Sequence, residues 1–407
     1  MDSKTRAREL QLRITKVFLP GTAISSYDWF VGRQEQMTRA MSGVLQPGRH
    51  VILFGERGVG KTSLAKVLVE SLHNDGCRTL ETMTINCDES DDFTTLWRKI
   101  FRVLPSGKEN GKTVYMDRQL PVEDVDISPD DVRHCLSGYR EPFLIVIDEV
   151  DQLTDHTARK FLAATIKNLS DHSANTTLML VGVADTVDEL IQEHQSIVRS
   201  LIQVQMPRMS REEIIEIVKK RFQYQLDMSI DAEACNMIAL FSRGFPFYAH
   251  SFGLYAGQKA LGEGRLNVTR QDVGTATADV ALNAFNLHSA YHRATMSPQP
   301  SNRYDIALIA CALARSDDHG FFSAADVRRP LSVLLNKTVD IPGYKHYLIE
   351  FCGEKRRQIL QPIGEKGRMR YRFRDPLMLP FVIINAFGHG KLDMNILEAI
   401  SRPETIH

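Results

Sequence analysis

Apolar positions fall along this chain in two rhythms. Short unbroken runs occupy His50–Phe54 (HVILF), Phe143–Ile147 (FLIVI) and Thr177–Val183 (TLMLVGV), as strands buried on both faces of a sheet require. Thr79–Asn86 reads as a further strand. Helical spacing prevails between them: Leu64, Val67, Leu68 and Leu72 mark a helix over Lys61–Leu72, and another is predicted over Phe93–Leu104. Ser128-Pro129-Asp130-Asp131 opens one more, with a cap residue, a proline at the first helical position and carboxylates in the first turn. Upstream, Thr5–Val17 reads as helical before a break at Pro20-Gly21, and Arg33–Leu45 ends at the turn signal Gln46-Pro47-Gly48. Strands alternating with helices predict a parallel sheet covered on both faces. Residues 105–126 are polar and aperiodic and read as a surface excursion.

From Ser210 the rhythm is helical throughout. Ser210 and Glu213 form a capping box ahead of the apolar stripe Ile214, Ile217, Val218 and Phe222. Helices are expected over Asp231–Arg243, Phe247–Leu261 and Arg270–His292. Ser297-Pro298-Gln299-Pro300-Ser301-Asn302 is the best linker. Beyond it lie further helices and a hairpin, Gln358–Ile363 against Arg368–Phe373, turned at Gly364-Glu365-Lys366-Gly367.

The 407 residues imply several domains at about 100–200 residues each. With 43% hydrophobic and 25% charged residues, the chain has the mix of an ordinary globular protein, which excludes disorder. Fifty basic side chains balance fifty acidic ones, so any basic surface must be local. No apolar run approaches the roughly 18–20 residues of a membrane span, so no membrane partner is expected. The N-terminus lacks the apolar core of a signal peptide. Six scattered cysteines without a C-x-x-C argue for reduced thiols in the cytoplasm. His288 and His292 lie four apart without the Glu of a metalloprotease and read as structural. A metal held by protein ligands alone is not expected.

The chemistry concentrates in Gly55-Glu56-Arg57-Gly58-Val59-Gly60-Lys61-Thr62, followed by Ser63. It matches G-x-x-x-x-G-K-[ST], with a buried strand before and an amphipathic helix after. Backbone N–H groups wrap a polyphosphate only where glycines let the chain approach, and the helix N-terminus favours the anion. The motif therefore predicts an ATP site in which Lys61 reaches the β- and γ-phosphates and Thr62 ligates Mg²⁺. Phe143–Ile147 runs into Asp148-Glu149, two carboxylates at the carboxyl edge of the sheet, where open α/β sheets bind ligands. Asp148 is the second candidate for Mg²⁺. Glu149 is the candidate that orients the attacking water, which predicts a Mg-dependent ATPase.

Together these residues resemble a P-loop ATPase of the AAA+ type, in the group that includes the STAND switch ATPases, over roughly residues 18–290. The origin-recognition-like initiator clade is the nearest in plan. The resemblance implies an α/β P-loop core with an N-terminal helix (1–206), a helical lid (207–296), a winged-helix domain (303–390) and a tail (391–407). Phe30-Val31-Gly32-Arg33 resembles the element bordering the adenine pocket, which adds Gly32 and Arg33 to the nucleotide set. His194-Gln195-Ser196-Ile197-Val198-Arg199 resembles the segment presenting an arginine finger to a neighbouring subunit, which implies a catalytic Arg199 and a homo-oligomer. Asp185 falls closest to the polar sensor of the γ-phosphate, with Thr186 its rival. Gly244-Phe245-Pro246 resembles the G-x-P signature whose proline packs near the base; Pro246 reads equally as a plain helix start, and Arg243 could substitute for an absent sensor arginine.

In the C-terminal third, Tyr304–Ala314, Phe322–Leu335 and Gly343–Cys352 resemble the helices of a winged-helix domain, with 357–373 as its wing. Arg368, Arg370 and Arg372 alternate with Met369, Tyr371 and Phe373, as a hairpin with one basic and one buried face would. Such a wing could contact phosphates of double-stranded DNA or dock a protein; both stay open. The leading expectation is an ATP-driven switch that oligomerises and controls a partner effector protein or DNA. The alternatives are a DNA-binding initiator, loader or transposition regulator, and the ATPase component of a stress or anti-phage defence system.

Overall fold

The computed structural model describes the chain except for residues 1–2, 25–26, 75–79, 110–111, 116–124, 138–141, 173, 192–196, 198, 298, 300–302, 318, 366–367 and 402–407. The described residues fall into two compact units, Ala23–Pro207 and a second made of Met1–Thr22 with Arg208–His407.

The first unit is a parallel sheet of β1 (His50–Gly55), β2 (Glu81–Asn86), β5 (Phe143–Asp148), β6 (Thr176–Val183) and β7 (Leu201–Gln205), in the order β2-β5-β6-β1-β7. Every residue of β1 and β5 is buried, which is why these strands read as continuous apolar runs. β7 was not expected. It is an edge strand whose buried Leu201 and Val204 are separated by half-exposed Ile202 and Gln203, so it carries no apolar run.

The helices of this unit are α2 (Gln34–Leu45), α3 (Lys61–Asn74), α4 (Phe93–Val103), α5 (Pro129–Ser137) and α6 (His156–Asp171). α6 went unpredicted, although Asp155 caps it by accepting from the N–H groups of Thr157 (2.9 Å) and Ala158 (3.2 Å). Trp97, Phe101, Ile145, Leu162 and Ile166 form one buried core between helices and sheet. The polar stretch after α4 contains an antiparallel pair, β3 (Pro105–Glu109) and β4 (Lys112–Tyr115), so its first part is ordered where an irregular excursion was expected; much of the rest lies outside the described residues.

The second unit is largely helical. The sequence reading grouped α1 (Ser3–Val17) with the α/β core; the structure packs it on α9 (Pro246–Gly262). The reason is steric fit. Gly253 and Gly257, one turn apart on α9, leave a groove into which Phe18 and Ile14 settle so closely that an added Cβ would lie 2.1 Å and 2.2 Å from them. Two polar contacts fix the chain leaving α1: Leu19 N–H donates to His250 Nδ1 at 3.1 Å, and the Arg221 guanidinium donates to Val17 O at 2.6 Å.

Around α9 lie α7 (Arg211–Lys220), α8 (Ala232–Ser242), α10 (Arg270–Asn283) and α11 (Phe285–Thr295). The last two were expected as one helix. The chain breaks at Ala284, with φ −92° and ψ 49°, and no glycine or proline marks the spot.

The C-terminal third runs helix, strand, helix, helix, strand, strand: α12 (Tyr304–Leu313), β10 (Phe322–Ser323), α13 (Ala324–Leu335), α14 (Ile341–Phe351), β11 (Leu360–Ile363) and β12 (Arg370–Phe373), with β12 central in its antiparallel sheet. Then comes α15 (Met378–Gly388), buried along nearly its whole length. It joins this third to the preceding helices: Phe387 packs edge-on against Phe241, and Tyr248 Oη donates to Leu377 O at 2.8 Å just before it. α16 (Met394–Ser401) lies in the expected tail.

Candidate functional site

The turn after β1 is built by glycines. Gly55 has φ +149°, and a Cβ there would lie 2.4 Å from Met206 O, so only glycine lets the loop start against the end of β7. Gly58 and Gly60 also have positive φ, 85° and 97°. Gly60 O then accepts from Leu64 N–H at 3.0 Å, starting α3. The loop's N–H groups and the first turn of α3 thus meet at one helix N-terminus, an anion-binding arrangement.

Lys61 is buried, and its ammonium folds back on its own loop, donating to Gly55 O at 3.0 Å and Glu56 O at 2.8 Å. Burial pushes its pKa down to about 8, against the opposing pull of Asp151, Asp148 and Glu56, in that order. An ammonium kept in so dry a place is stabilised by any anion that enters the loop. Arg57 is exposed, Val59 is buried, and Thr62 and Ser63 are half-buried. Ser63 Oγ accepts from Ile24 N–H at 3.1 Å, which ties the start of the unit to α3.

At the end of β5, Asp148 is buried and Glu149 exposed. Asp148 pairs with Asn86 of β2 and accepts from Glu149 N–H at 2.8 Å. Glu149 stands in the left-handed region, φ 59° and ψ 35°, a conformation that costs a non-glycine residue about 1–3 kcal/mol and concentrates at functional sites. The turn that follows carries an acid the sequence reading missed. Asp151 Oδ1 accepts from Val183 N–H at 2.7 Å, tying this turn to the end of β6. Its signal was present, an acid three residues after Asp148.

Among the described residues no group of three or more His, Cys, Asp or Glu side chains could hold a metal. Asp148, at the end of β5, and the Thr62 hydroxyl, in the first turn of α3, suit a cation that keeps waters and takes its remaining ligands from a phosphate.

Gly32 has φ 69° and Arg33 φ 63°, and Arg33 precedes α2. The buried Arg33 guanidinium donates to Val59 O at 3.4 Å and to Pro207 O, so it braces the glycine loop against the end of the unit. Asp185 is half-buried two residues past β6, and its N–H donates to Glu189 Oε2 at 3.1 Å; Thr186 is exposed. Arg199 is exposed, whereas most of the preceding segment (192–196 and 198) lies outside the described residues. It stands at the amino end of the sheet: Ser200 O accepts from His50 N–H at 2.8 Å, at the start of β1. The glycine loop begins at the opposite end of β1, about 15–20 Å away at 3.3 Å per residue.

Pro246 belongs to the other unit, where it is the first residue of α9. Arg243 ends α8 in the left-handed region, and a Cβ on Gly244 would lie 2.6 Å from Met209 O. On the hairpin, Arg368 is exposed. Arg370 is engaged internally, donating to Asp317 Oδ2 at 2.8 Å and Phe321 O at 2.9 Å. Arg372 donates to Gln361 Oε1 at 3.1 Å and lies 4.6 Å from the Phe321 ring centroid. Tyr371 and Phe373 face inward, as the alternation predicted.

Residues 45–191 match the family model described as an AAA domain. No curated protein matches the chain. Among solved structures, it is similar to the Orc1 protein of Aeropyrum pernix in complex with DNA, at 16% identity and a TM-score of 0.50, over 92% of this chain and 97% of that one. It is also similar to Cdc6p from Pyrobaculum aerophilum (16%, TM-score 0.48, 93% and 99% covered) and to the Thermotoga maritima RuvB Holliday junction branch migration motor (16%, TM-score 0.43, 91% and 98% covered). At such identities the likeness is one of fold.

Proposed function

We propose that this chain, an AAA-type P-loop fold whose AAA domain spans residues 45–191, is an ATP-hydrolysing switch that assembles with copies of itself and acts on a partner through its C-terminal third. The observation that carries the reading is the convergence at one sheet edge of the glycine loop with its buried Lys61 and the Asp148-Glu149 pair. The loop N–H groups and Lys61 bind the phosphates, and Asp148 with Thr62 hold the cation. Bound Mg²⁺ supplies charge neutralisation on the phosphates. Glu149, exposed at the strand end, orients water and accepts its proton, the step that separates a hydrolase from a binding protein. In this reading Asp185 or Thr186, beyond β6, senses the terminal phosphate.

The distance along β1 supports a part for Arg199 in a neighbouring copy's site. An arginine at the amino end of the sheet does not reach its own glycine loop, which favours the reading that it serves the site of a neighbouring copy. Arginines supplied in this way accelerate phosphoryl transfer by about 10³–10⁵-fold. The direct test is ATP hydrolysis by wild type and Glu149→Gln. Wild-type turnover with loss of at least about 10²-fold in the variant, nucleotide binding being retained, supports the reading; equal rates sink it.

A second reading is favoured by one observation. The helix-strand-helix-helix-strand-strand order of the C-terminal third supports a winged helix, and its hairpin carries the exposed Arg368. With a fold neighbour solved in complex with DNA, this supports duplex DNA as the partner. A protein effector, as in a defence system, is the competing occupant of the same surface. Duplex affinity that falls with added salt decides for DNA, and affinity indifferent to salt decides against it.

A further inference from the structure

We infer that Arg159, on α6, is a positioning residue for hydrolysis: it ties the turn that carries Glu149 to the turn that carries Asp185 and Thr186. The inference rests on the ATPase reading and adds to it a residue which that reading leaves unused. Arg159 is half-buried, one turn into α6, where its N–H donates to Asp155 O at 3.2 Å. Its guanidinium donates from Nε to Leu153 O at 2.7 Å and from Nη1 to Glu189 O at 2.7 Å. Leu153 closes the helical turn Val150–Gln152 after β5, and Glu189 ends the turn Val187–Glu189 after β6. Carbonyls at the end of a helical turn have no partner within it, and the arginine supplies one to each. Both turns stand at the carboxyl edge of the sheet, where the candidate catalytic and sensing residues lie.

The strained backbone of Glu149 gives this tie its importance. A left-handed conformation at a residue other than glycine persists only where the surroundings over-determine it. Gln152 N–H donates to Glu149 O at 2.9 Å, which holds the turn from within. Asp151 accepts from Val183 N–H, which holds it to the end of β6. Arg159 carries the hold onward to Glu189. There the side chain continues it, because Glu189 Oε2 accepts from Asp185 N–H at 3.1 Å. Gly182 lets the two turns close on each other: an added Cβ would lie 2.7 Å from Leu190 Cδ2 and 3.3 Å from Asp151 N. Val150, Leu153, Val187 and Leu190 belong to one buried cluster beneath them. A guanidinium is planar and rigid, so it keeps the two carbonyls at one separation, and a shift of either turn is passed to the other. Misplacement by about 1 Å costs a positioned catalytic group about 10²-fold. Arg159 thereby acts on the reaction through Glu149, setting that carboxylate against the residues that sense the terminal phosphate.

The test is ATP turnover by the full chain at saturating nucleotide, with the stoichiometry of nucleotide binding measured on the same preparations, so that rate is expressed per binding site. Arg159→Gln is expected to lower kcat at least about tenfold while stoichiometry and nucleotide Kd stay within about twofold of wild type. An arginine that merely supports the fold would lower the stoichiometry and leave turnover per site unchanged, and that result overturns the inference. Arg159→Lys keeps the charge without the planar group and serves if Arg159→Gln does not fold. It is expected to lose at least about threefold in kcat, and wild-type kcat in it overturns the inference. In the Glu149→Gln background, Arg159→Gln is expected to cost less than about twofold further, because the carboxylate it positions is gone. An undiminished loss there shows that Arg159 does not act through Glu149. Wild type without turnover, or Glu149→Gln as fast as wild type, overturns the ATPase reading and the inference with it. Turnover that Glu149→Gln abolishes and Arg159→Gln leaves intact removes Arg159 alone.

Discussion

Asp151 and Val183 are joined by a hydrogen bond of 2.7 Å from the Val183 N–H to Asp151 Oδ1, and this bond anchors a carboxylate that acts on Lys61. It fixes the turn after Asp148-Glu149 to the end of β6. It also holds in place the carboxylate that most strongly favours the Lys61 ammonium. Asp151→Asn keeps the shape of the side chain and removes its charge. The Lys61 pKa then falls below about 8. The pH above which nucleotide affinity declines shifts downward with it, and fluorescence titration across pH reads that shift. An unchanged midpoint would detach Asp151 from Lys61.

Lys61 also makes stability depend on pH. Its folded pKa of about 8 lies below the ordinary 10.5. Between those values the unfolded chain binds a proton that the folded chain does not, so stability of the nucleotide-free protein rises with pH across the window. Below about pH 8 both forms are protonated, and the full penalty of the buried charge is present. Lys61→Met therefore flattens the pH dependence of the denaturation midpoint in that window and abolishes stabilisation by added nucleotide. A slope equal to that of wild type would show that another group titrates there.

The N-terminal helix is seated by two glycines. Gly253→Ala places a methyl 2.1 Å from the present position of the Phe18 ring, and overpacking of this kind costs about 1–3 kcal/mol. Phe18→Ala removes the ring and costs about 3–5 kcal/mol. Combined, they cost less than their sum, because the new methyl occupies space the ring has left. Urea midpoints of the four proteins give the coupling, and strict additivity would mean that α1 does not pack where the structure has it.

These contacts show what was legible in the sequence. β1, β5 and β6 were, because a doubly buried strand is an unbroken apolar run, and the glycine loop was, because its backbone needs glycine at fixed spacing. β7 was not, since an edge strand of five residues with polar positions leaves no run. The seat of α1 was not, because Gly253 and Gly257 read as ordinary helical positions until Phe18 and Ile14, far away in sequence, are brought against them. Asp151 was overlooked inside an unpredicted helical turn, Val150–Gln152. The hairpin alternation was read correctly, but the pairing of Arg370 with Asp317, 53 positions upstream, is non-local and leaves no local trace.

That pairing separates the hairpin arginines. Arg370→Ala breaks a half-exposed ion pair and costs the fold about 0–1 kcal/mol. Arg368→Ala breaks no ion pair among the described residues, and if the surface binds DNA it lowers the salt slope of duplex binding by about one unit. Filter binding over a salt series gives both slopes. A larger change from Arg370 than from Arg368 would contradict the assignment of Arg368 as the phosphate contact.

The account turns on whether the two ends of β1 serve two different active sites, and mixing two inactive proteins tests this most directly. Arg199→Ala protein keeps its own Lys61, Asp148 and Glu149 but offers no arginine to its neighbour. Glu149→Gln protein offers Arg199 but does not hydrolyse. ATP turnover of each alone and of an equal mixture is measured at the same total concentration. The account predicts low turnover from each alone and at least about tenfold more from the mixture, as Arg199 of one copy completes the site of the other. A mixture no faster than the average of its components would contradict it.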